Sequence, residues 1–152
     1  MQTGFYSSPI GMLQIETEAE AVTSIRIAAR TENSAVPDNE FMARVKQELE
    51  QYFLGKLTAF SIPLRPNGTQ FQQRVWRTLQ SIPYGETRSY GEVVKEIGNG
   101  KACRAVGMAN HTNPILIMIP CHRVIGANGS LTGYAAGIDK KEFLLNLEKT
   151  DR

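Results

Sequence analysis

Ile115-Leu116-Ile117-Met118-Ile119 is an unbroken apolar run, and Pro120-Cys121-His122-Arg123-Val124 follows at once. A run with no polar side must be covered on every side, so the chain has to fold around these residues. Its length suits a strand and the proline stops it. The pattern therefore predicts a buried strand that delivers Cys121 and His122 at its tip. A thiol becomes a strong nucleophile when something removes its proton, and an adjacent imidazole is the usual agent. A rigid, buried element would also shield the sulfur from casual oxidants. The dipeptide leaves one alternative open, a structural cysteine beside an incidental histidine.

Periodicity organises the rest. Leu13-Gln14-Ile15-Glu16 and Thr23-Ser24-Ile25-Arg26-Ile27 alternate as strands do, with Pro9-Ile10-Gly11 as a turn before them. A polar loop over 31–37 leads to a helix expected to start at Asp38, with Phe41, Val45, Leu49 and Tyr52 on one face and Gly55 at its end. Residues 58–62 read as a returning strand, and 63–68, with two prolines and Asn67-Gly68, as a linker. Thr69 and Gln72 form a capping box ahead of Phe71, Val75, Leu79 and Ile82 on one helical face, which Pro83-Tyr84-Gly85 ends. Ser89 and Glu92 form a second box before Val93, Val94 and Ile97. Gly98-Asn99-Gly100 then turns the chain into a third helix expected over 101–110. Two short helices joined by a glycine turn are the helix-turn-helix pattern. A last box, Asp139 to Glu142, is expected to start a C-terminal helix carrying Phe143, Leu144 and Leu147. The fold class is α+β (α/β). A small antiparallel sheet belongs to an N-terminal domain over 1–66, and a mainly helical domain over 67–152 carries the helix-turn-helix.

Composition narrows the setting. With 41% hydrophobic and 21% charged residues the chain can bury an ordinary globular core. No apolar run approaches the roughly 20 residues of a membrane span, and Met1-Gln2-Thr3-Gly4-Phe5 does not read as a secretory signal. The expectation is a cytoplasmic protein whose two cysteines, Cys103 and Cys121, are free thiols. Two Cys and two His without paired spacing argue against a metal site. Residues 1–66 hold six Lys/Arg against eight Asp/Glu, whereas 67–152 hold eleven against seven. The basic half is the half with the Cys-His pair, which suits a partner carrying phosphates. The presumed inserting face of the third helix carries Ala102, Ala105, Gly107 and Ala109, with few base-reading side chains. Such a slim helix fits a minor groove, where readout is degenerate; tight packing on a neighbouring helix is the plainer alternative.

Pro120-Cys121-His122-Arg123-Val124, preceded by Asn113-Pro114, resembles the acceptor-cysteine segment of the O6-alkylguanine-DNA alkyltransferases, suicide repair proteins that take alkyl groups off guanine. The likeness extends through Phe71 to Trp76, Pro83-Tyr84-Gly85, Ser89-Tyr90, Ala105-Val106-Gly107, Gly133-Tyr134 and Glu142-Phe143-Leu144-Leu145 to Glu148, and is only an outline over 1–66. It implies a partner, double-stranded DNA bearing O6-alkylguanine, and a monomer that works without a cofactor. Some relatives carry zinc in their N-terminal part, but residues 1–66 here contain neither Cys nor His.

By this resemblance Cys121 accepts the alkyl group, His122 removes its proton through a water, and Glu148 orients His122 and stabilises its charged form. Asn113 ties the helix-turn-helix to the acceptor loop, and the hydroxyl of Tyr134 donates to the departing guanine. Toward DNA, Arg104 enters the duplex to fill the space of the extruded nucleotide, and Tyr90 presses on the phosphate 3′ to it. Lys101, Ala105 and Gly107 complete the expected contact surface. The family often has a serine after the tyrosine; here it is Ala135, so a backbone N–H has to serve the O6 oxygen. Arg123 is read as either a structural ion pair or a phosphate contact. Two rivals stand beside transfer. One is a damage-binding protein without transfer activity, against which Cys121 argues. The other is a cysteine hydrolase, which would need neither Arg104 nor a helix-turn-helix.

Overall fold

Leu13, Ile15 and Thr17 alternate inward along β2 (Gly11–Glu18), the middle strand of an antiparallel meander between β1 (Gln2–Ser8) and β3 (Ala21–Ile27). The computed structural model describes residues 1–28, 37–98, 103–131, 134 and 136–150. Tyr6 pairs with Leu13 across one interface and Ile15 with Ile25 across the other, with a bulge at Glu16/Thr17. Ala19 and Glu20, at φ 50° and 58°, make the β2–β3 turn. Both central residues are left-handed, as the favoured hairpin turn demands, although neither is the usual Asn or Gly.

The first helix, α1 (Glu40–Phe53), is capped by Asn39, whose side chain accepts from the Met42 N–H at 2.8 Å. It starts later than the expected Asp38, which instead pairs with Lys46 at 2.7 Å. Its buried face is Met42, Val45, Leu49 and Tyr52, with Phe41 only half-buried. Gly55 follows at φ 75°, the left-handed position that favours glycine after a helix.

The expected strand over 58–62 is absent. The Ser61 N–H is taken by the Glu48 carboxylate at 2.9 Å, so a helix side chain uses the donor that a strand neighbour would need. Pairing shifts instead into the expected linker. Pro63 O and Arg65 N bond to Val22, and Leu64 bridges it in parallel.

The run 115–119 is buried throughout, but it is not a strand. Ile25 pairs with it for one step, giving its N–H to Pro114 O at 2.9 Å and taking the Leu116 N–H at 3.0 Å. Ile117 then turns left-handed at φ 72°, and the Ile119 N–H returns to Ile115 O at 3.1 Å. A β-branched residue in that region costs on the order of 1–2 kcal/mol. Asn113 holds the turn closed, donating to Ile119 O at 2.7 Å and accepting from Ile115 N at 2.9 Å. An apolar run reports burial; it does not report backbone angles.

Two of the three expected capping boxes are present, Thr69/Gln72 on α2 (Gln70–Gln80) and Ser89/Glu92 on α3 (Tyr90–Ile97). Trp76 of α2 donates to Ala109 O at 2.8 Å, fastening it to α4 (Cys103–His111). Gly98 ends α3 at φ 87°, and residues 99–102, which include Lys101 and Ala102, lie outside the described residues. On α4, Arg104, Ala105 and Met108 are exposed, whereas Ala109 is buried, so Ala109 does not belong to an inserting face. A two-residue strand β4 (Arg88–Ser89) runs parallel to β5 (Val124–Ile125), linking the start of α3 to the residues after the Cys-His pair. The last helix, α5 (Ile138–Thr150), begins on Gly137, whose carbonyl accepts the Lys141 N–H at 3.1 Å. Asp139 therefore lies inside the first turn and is no capping residue, and Phe143 is exposed. One continuous core joins Leu13, Ile25 and Leu49 through Ile115 and Ile119 to Val75, Leu79, Val106 and Leu144. No helix among the described residues is long and apolar enough to cross a membrane.

Candidate active site

The buried turn at 115–119 delivers Cys121 into a 3₁₀ turn, Cys121–Arg123, with all three side chains enclosed. Burial pushes the Cys121 thiol up to about 11, even though an Asn113 hydrogen bond, the Lys141 charge and nearby backbone N–H groups pull the other way. At neutral pH the resting sulfur is therefore a thiol. Both cysteines are free, Cys103 exposed on α4 and Cys121 buried.

His122 is fully buried, and that burial holds its pKa below the usual imidazole value despite the attraction of Glu148. Its Nε2 lies 2.7 Å from Glu148 Oε2. Glu148 is buried too, which alone would raise its pKa. The hydrogen bonds and charges of His122 and Arg123 overcome burial and hold it at about 2. Glu148 is therefore ionised even beside a neutral imidazole. An ionised carboxylate only accepts, so Nε2 carries the imidazole proton and Nδ1 is left as the basic atom. Nδ1 has no hydrogen-bond partner among the described residues.

Three residues converge on Glu148 besides His122. Arg123 donates from Nε to Oε1 at 2.8 Å and from Nη2 to Oε2 at 3.0 Å. Its Nη1 donates to Ile82 O at 2.7 Å, and the guanidinium lies 5.7 Å from the Tyr84 ring centroid. Of the two readings of Arg123, the structure supports the ion pair. The Gly85 N–H approaches Oε1 at 3.5 Å, and the Tyr52 hydroxyl donates to Oε2 at 2.6 Å.

Tyr134 is buried close enough for the charges of Cys121 and Glu148 to add to desolvation in raising its pKa well above 10.0. It stays protonated as a donor, and its hydroxyl has no partner among the described residues. Lys141 is completely enclosed on α5, with Nζ donating to Val124 O at 2.5 Å. Burial lowers its pKa, and the influence of Cys121 opposes that shift.

The structure thus brings together Cys121, His122, Glu148, Asn113 and Tyr134. Tyr90 lies at the start of α3, half-buried, its hydroxyl 3.4 Å from Asn110 Nδ2. Arg104 and Ala105 occupy the open face of α4, with Gly107 half-buried between turns. Ala135 and Gly133 lie outside the described residues. Sequence reasoning missed Tyr52 and Lys141. Lys141, Leu144, Leu145 and Glu148 all share one buried stripe of α5, and charged residues at that spacing were the available signal for Lys141. Among the described residues no group of three His, Cys, Asp or Glu could hold a metal.

Residues 70–150 match the family model described as 6-O-methylguanine DNA methyltransferase, DNA binding domain, and residues 1–66 match its ribonuclease-like domain. A methylated-DNA–protein-cysteine methyltransferase from Methanosarcina acetivorans is 50% identical over 153 residues, covering 97% of this chain and 98% of its own. One of the same description from Mycobacterium tuberculosis H37Rv is 49% identical over 147 residues, covering 94% and 89%. Among solved structures, Mycobacterium tuberculosis OGT in complex with DNA superposes with a TM-score of 0.90 at 47% identity, over 99% of this chain and 94% of that one.

Proposed function

The chain belongs to the 6-O-methylguanine DNA methyltransferase family, and we propose that it flips O6-alkylguanine out of double-stranded DNA and transfers the alkyl group irreversibly to its own Cys121. The observation that carries this reading is a free, buried thiol next in sequence to an imidazole whose far nitrogen is bound to an ionised carboxylate, His122 Nε2 to Glu148 Oε2 at 2.7 Å. This is the nucleophile, base and orienter arrangement that activates thiols and hydroxyls elsewhere.

The resting thiol must lose its proton before it attacks, because the thiolate is the nucleophile. His122 Nδ1 takes that proton through a water, and Glu148 stabilises the imidazolium that forms. The sulfur then attacks the alkyl carbon from behind the C–O6 bond. A C–S bond forms as the C–O6 bond breaks, and the bonding pair stays with the guanine oxygen. Tyr134 donates a hydrogen bond to the departing base, which ends as guanine by taking up one proton, equivalent to the one the thiol released. Asn113 holds the turn that presents Cys121. The thioether has no route back, so each chain acts once.

The alkyl group of O6-alkylguanine lies inside the stack, so the base has to leave the duplex. The open face of α4, with Arg104 and the small Ala105, together with Gly107, Tyr90 and Lys101, is the proposed contact surface, acting in the minor groove. The excess of basic residues over 67–152 supports that orientation. We divide the chain into a supporting unit over 1–66 and a DNA-binding transferase unit over 67–152, acting as a monomer in the cytoplasm. The two separately matched stretches support the division, and two free thiols suit a reducing compartment.

Duplex DNA labelled in the methyl group of O6-methylguanine tests the proposal. Label should pass to the protein, to at most one methyl per chain, and Cys121→Ser should bind DNA without accepting it. Binding without transfer would support a damage-binding protein, and repeated turnover would support a hydrolase.

A further inference from the structure

We propose that Tyr52, from the N-terminal unit, is a positioning residue for the transfer reaction, its hydroxyl holding Glu148 in the orientation His122 requires. The inference rests on reading Cys121, His122 and Glu148 as the proton relay. It assigns the 1–66 segment a part in the chemistry beyond support.

Tyr52 lies in the last turn of α1, 1% exposed, 96 positions before Glu148, and its hydroxyl is 2.6 Å from Glu148 Oε2. That oxygen is the one His122 uses, at 2.7 Å. The direction of the bond follows from charge. Burial and the neighbouring Glu148 keep the phenol protonated, and an ionised carboxylate can only accept. Tyr52 therefore donates at every working pH.

The ring has little freedom to turn. It meets Phe53 edge-on at 5.3 Å between centroids, Tyr84 edge-on at 6.3 Å and Phe60 at 5.4 Å. Tyr84 in turn faces the Arg123 guanidinium, so this aromatic cluster supports both partners of the Arg123–Glu148 pair. A hydrogen bond anchored in a packed cluster fixes a carboxylate rotamer better than one from a mobile side chain. The same segment grips the other side of the site, where Ile25 bonds to Pro114 and Leu116 on either side of Ile115, next to Asn113.

With one donor fewer on Oε2, the carboxylate holds a proton on His122 more strongly. The imidazole then has to be titrated to higher pH before it can accept the Cys121 proton. The test is single-turnover methyl transfer from duplex DNA containing O6-methylguanine, using the full chain across about pH 5 to 9. Each chain reacts once, so any misfolded fraction lowers the final extent and leaves the rate constant readable. Tyr52→Phe keeps the ring and removes only the hydroxyl. It should slow transfer about tenfold, the scale of one hydrogen bond to a charged group. It should also move the acid side of the pH profile to higher pH, with duplex affinity unchanged. In a Glu148→Gln background the same change should add no further loss.

A Tyr52→Phe rate within twofold of the parent, on an unmoved profile, overturns the proposal while leaving the relay intact if Glu148→Gln is slow. Normal Tyr52→Phe beside slow Tyr52→Leu makes the residue a packing element only, which also overturns it. A fast Glu148→Gln removes the relay and this proposal with it.

Discussion

Arg123 meets Glu148 through two parallel contacts, Nε to Oε1 at 2.8 Å and Nη2 to Oε2 at 3.0 Å, and both side chains are buried. The pair keeps a negative charge beside His122 without leaving it unbalanced in the interior. Removing one partner would strand the other. Arg123→Met should lower stability by about 3–5 kcal/mol, the usual consequence of breaking a buried pair. Denaturant unfolding checks this, and a loss under about 1 kcal/mol would contradict the role of the pair.

Glu148→Gln keeps the shape of the side chain and removes the charge that supports protonated His122. Transfer should slow by something like 10²-fold, a general-base contribution, with little change in affinity for duplex DNA. A rate within twofold of the parent would eliminate Glu148 from the mechanism.

Burial raises the Cys121 thiol to about 11, so below that pH the free protein holds it protonated. Cys103, by contrast, is exposed. Iodoacetamide at neutral pH should therefore label Cys103 well before Cys121, as peptide mapping can read. Faster labelling of Cys121 would mean that the resting protein already holds a thiolate.

Stability should fall with acid in two stages. Burial holds the folded His122 below the ordinary imidazole value of 6.5, so the unfolded chain binds its proton first and folding weakens as pH drops below that value. Glu148 is depressed from 4.5 to about 2, so its contribution is complete above 4.5 and lost as pH falls through about 2. Melting temperature measured against pH checks the sign; a protein that gains stability from neutral pH into the acid range would refute it.

Arg104 is exposed on α4, whereas Cys121 is enclosed. If it fills the gap left by an extruded nucleotide, Arg104→Ala should slow repair of alkylated duplex and hardly affect reaction with free O6-alkylguanine base, which needs no flipping. Equal losses on both substrates would show that Arg104 serves the fold.

Features decided within one helical turn were legible in the sequence. The boxes at Thr69/Gln72 and Ser89/Glu92 and the glycines at 55 and 98 stand where pattern placed them. A capping side chain finds its partner three residues away, whatever the rest of the molecule does. Hydrophobic spacing likewise identified Val45, Leu49 and Tyr52 as the inner face of α1. The acceptor motif was just as local, because Cys121 and His122 are neighbours in the chain.

Reasoning from pattern failed where distant atoms compete for the backbone. The run 115–119 looked extended, yet Asn113 staples it into a turn around left-handed Ile117. The expected strand over 58–62 lost a backbone donor to Glu48, and Ala109 faces the core because Trp76 is fastened there. Tertiary structure alone decided that Glu148 is buried, that Lys141 is enclosed, and that Tyr52 reaches the relay from 96 positions away. Spacing along a chain encodes which face of an element seeks cover; it does not encode which charges the folded core will force together, because that depends on every element packing at once.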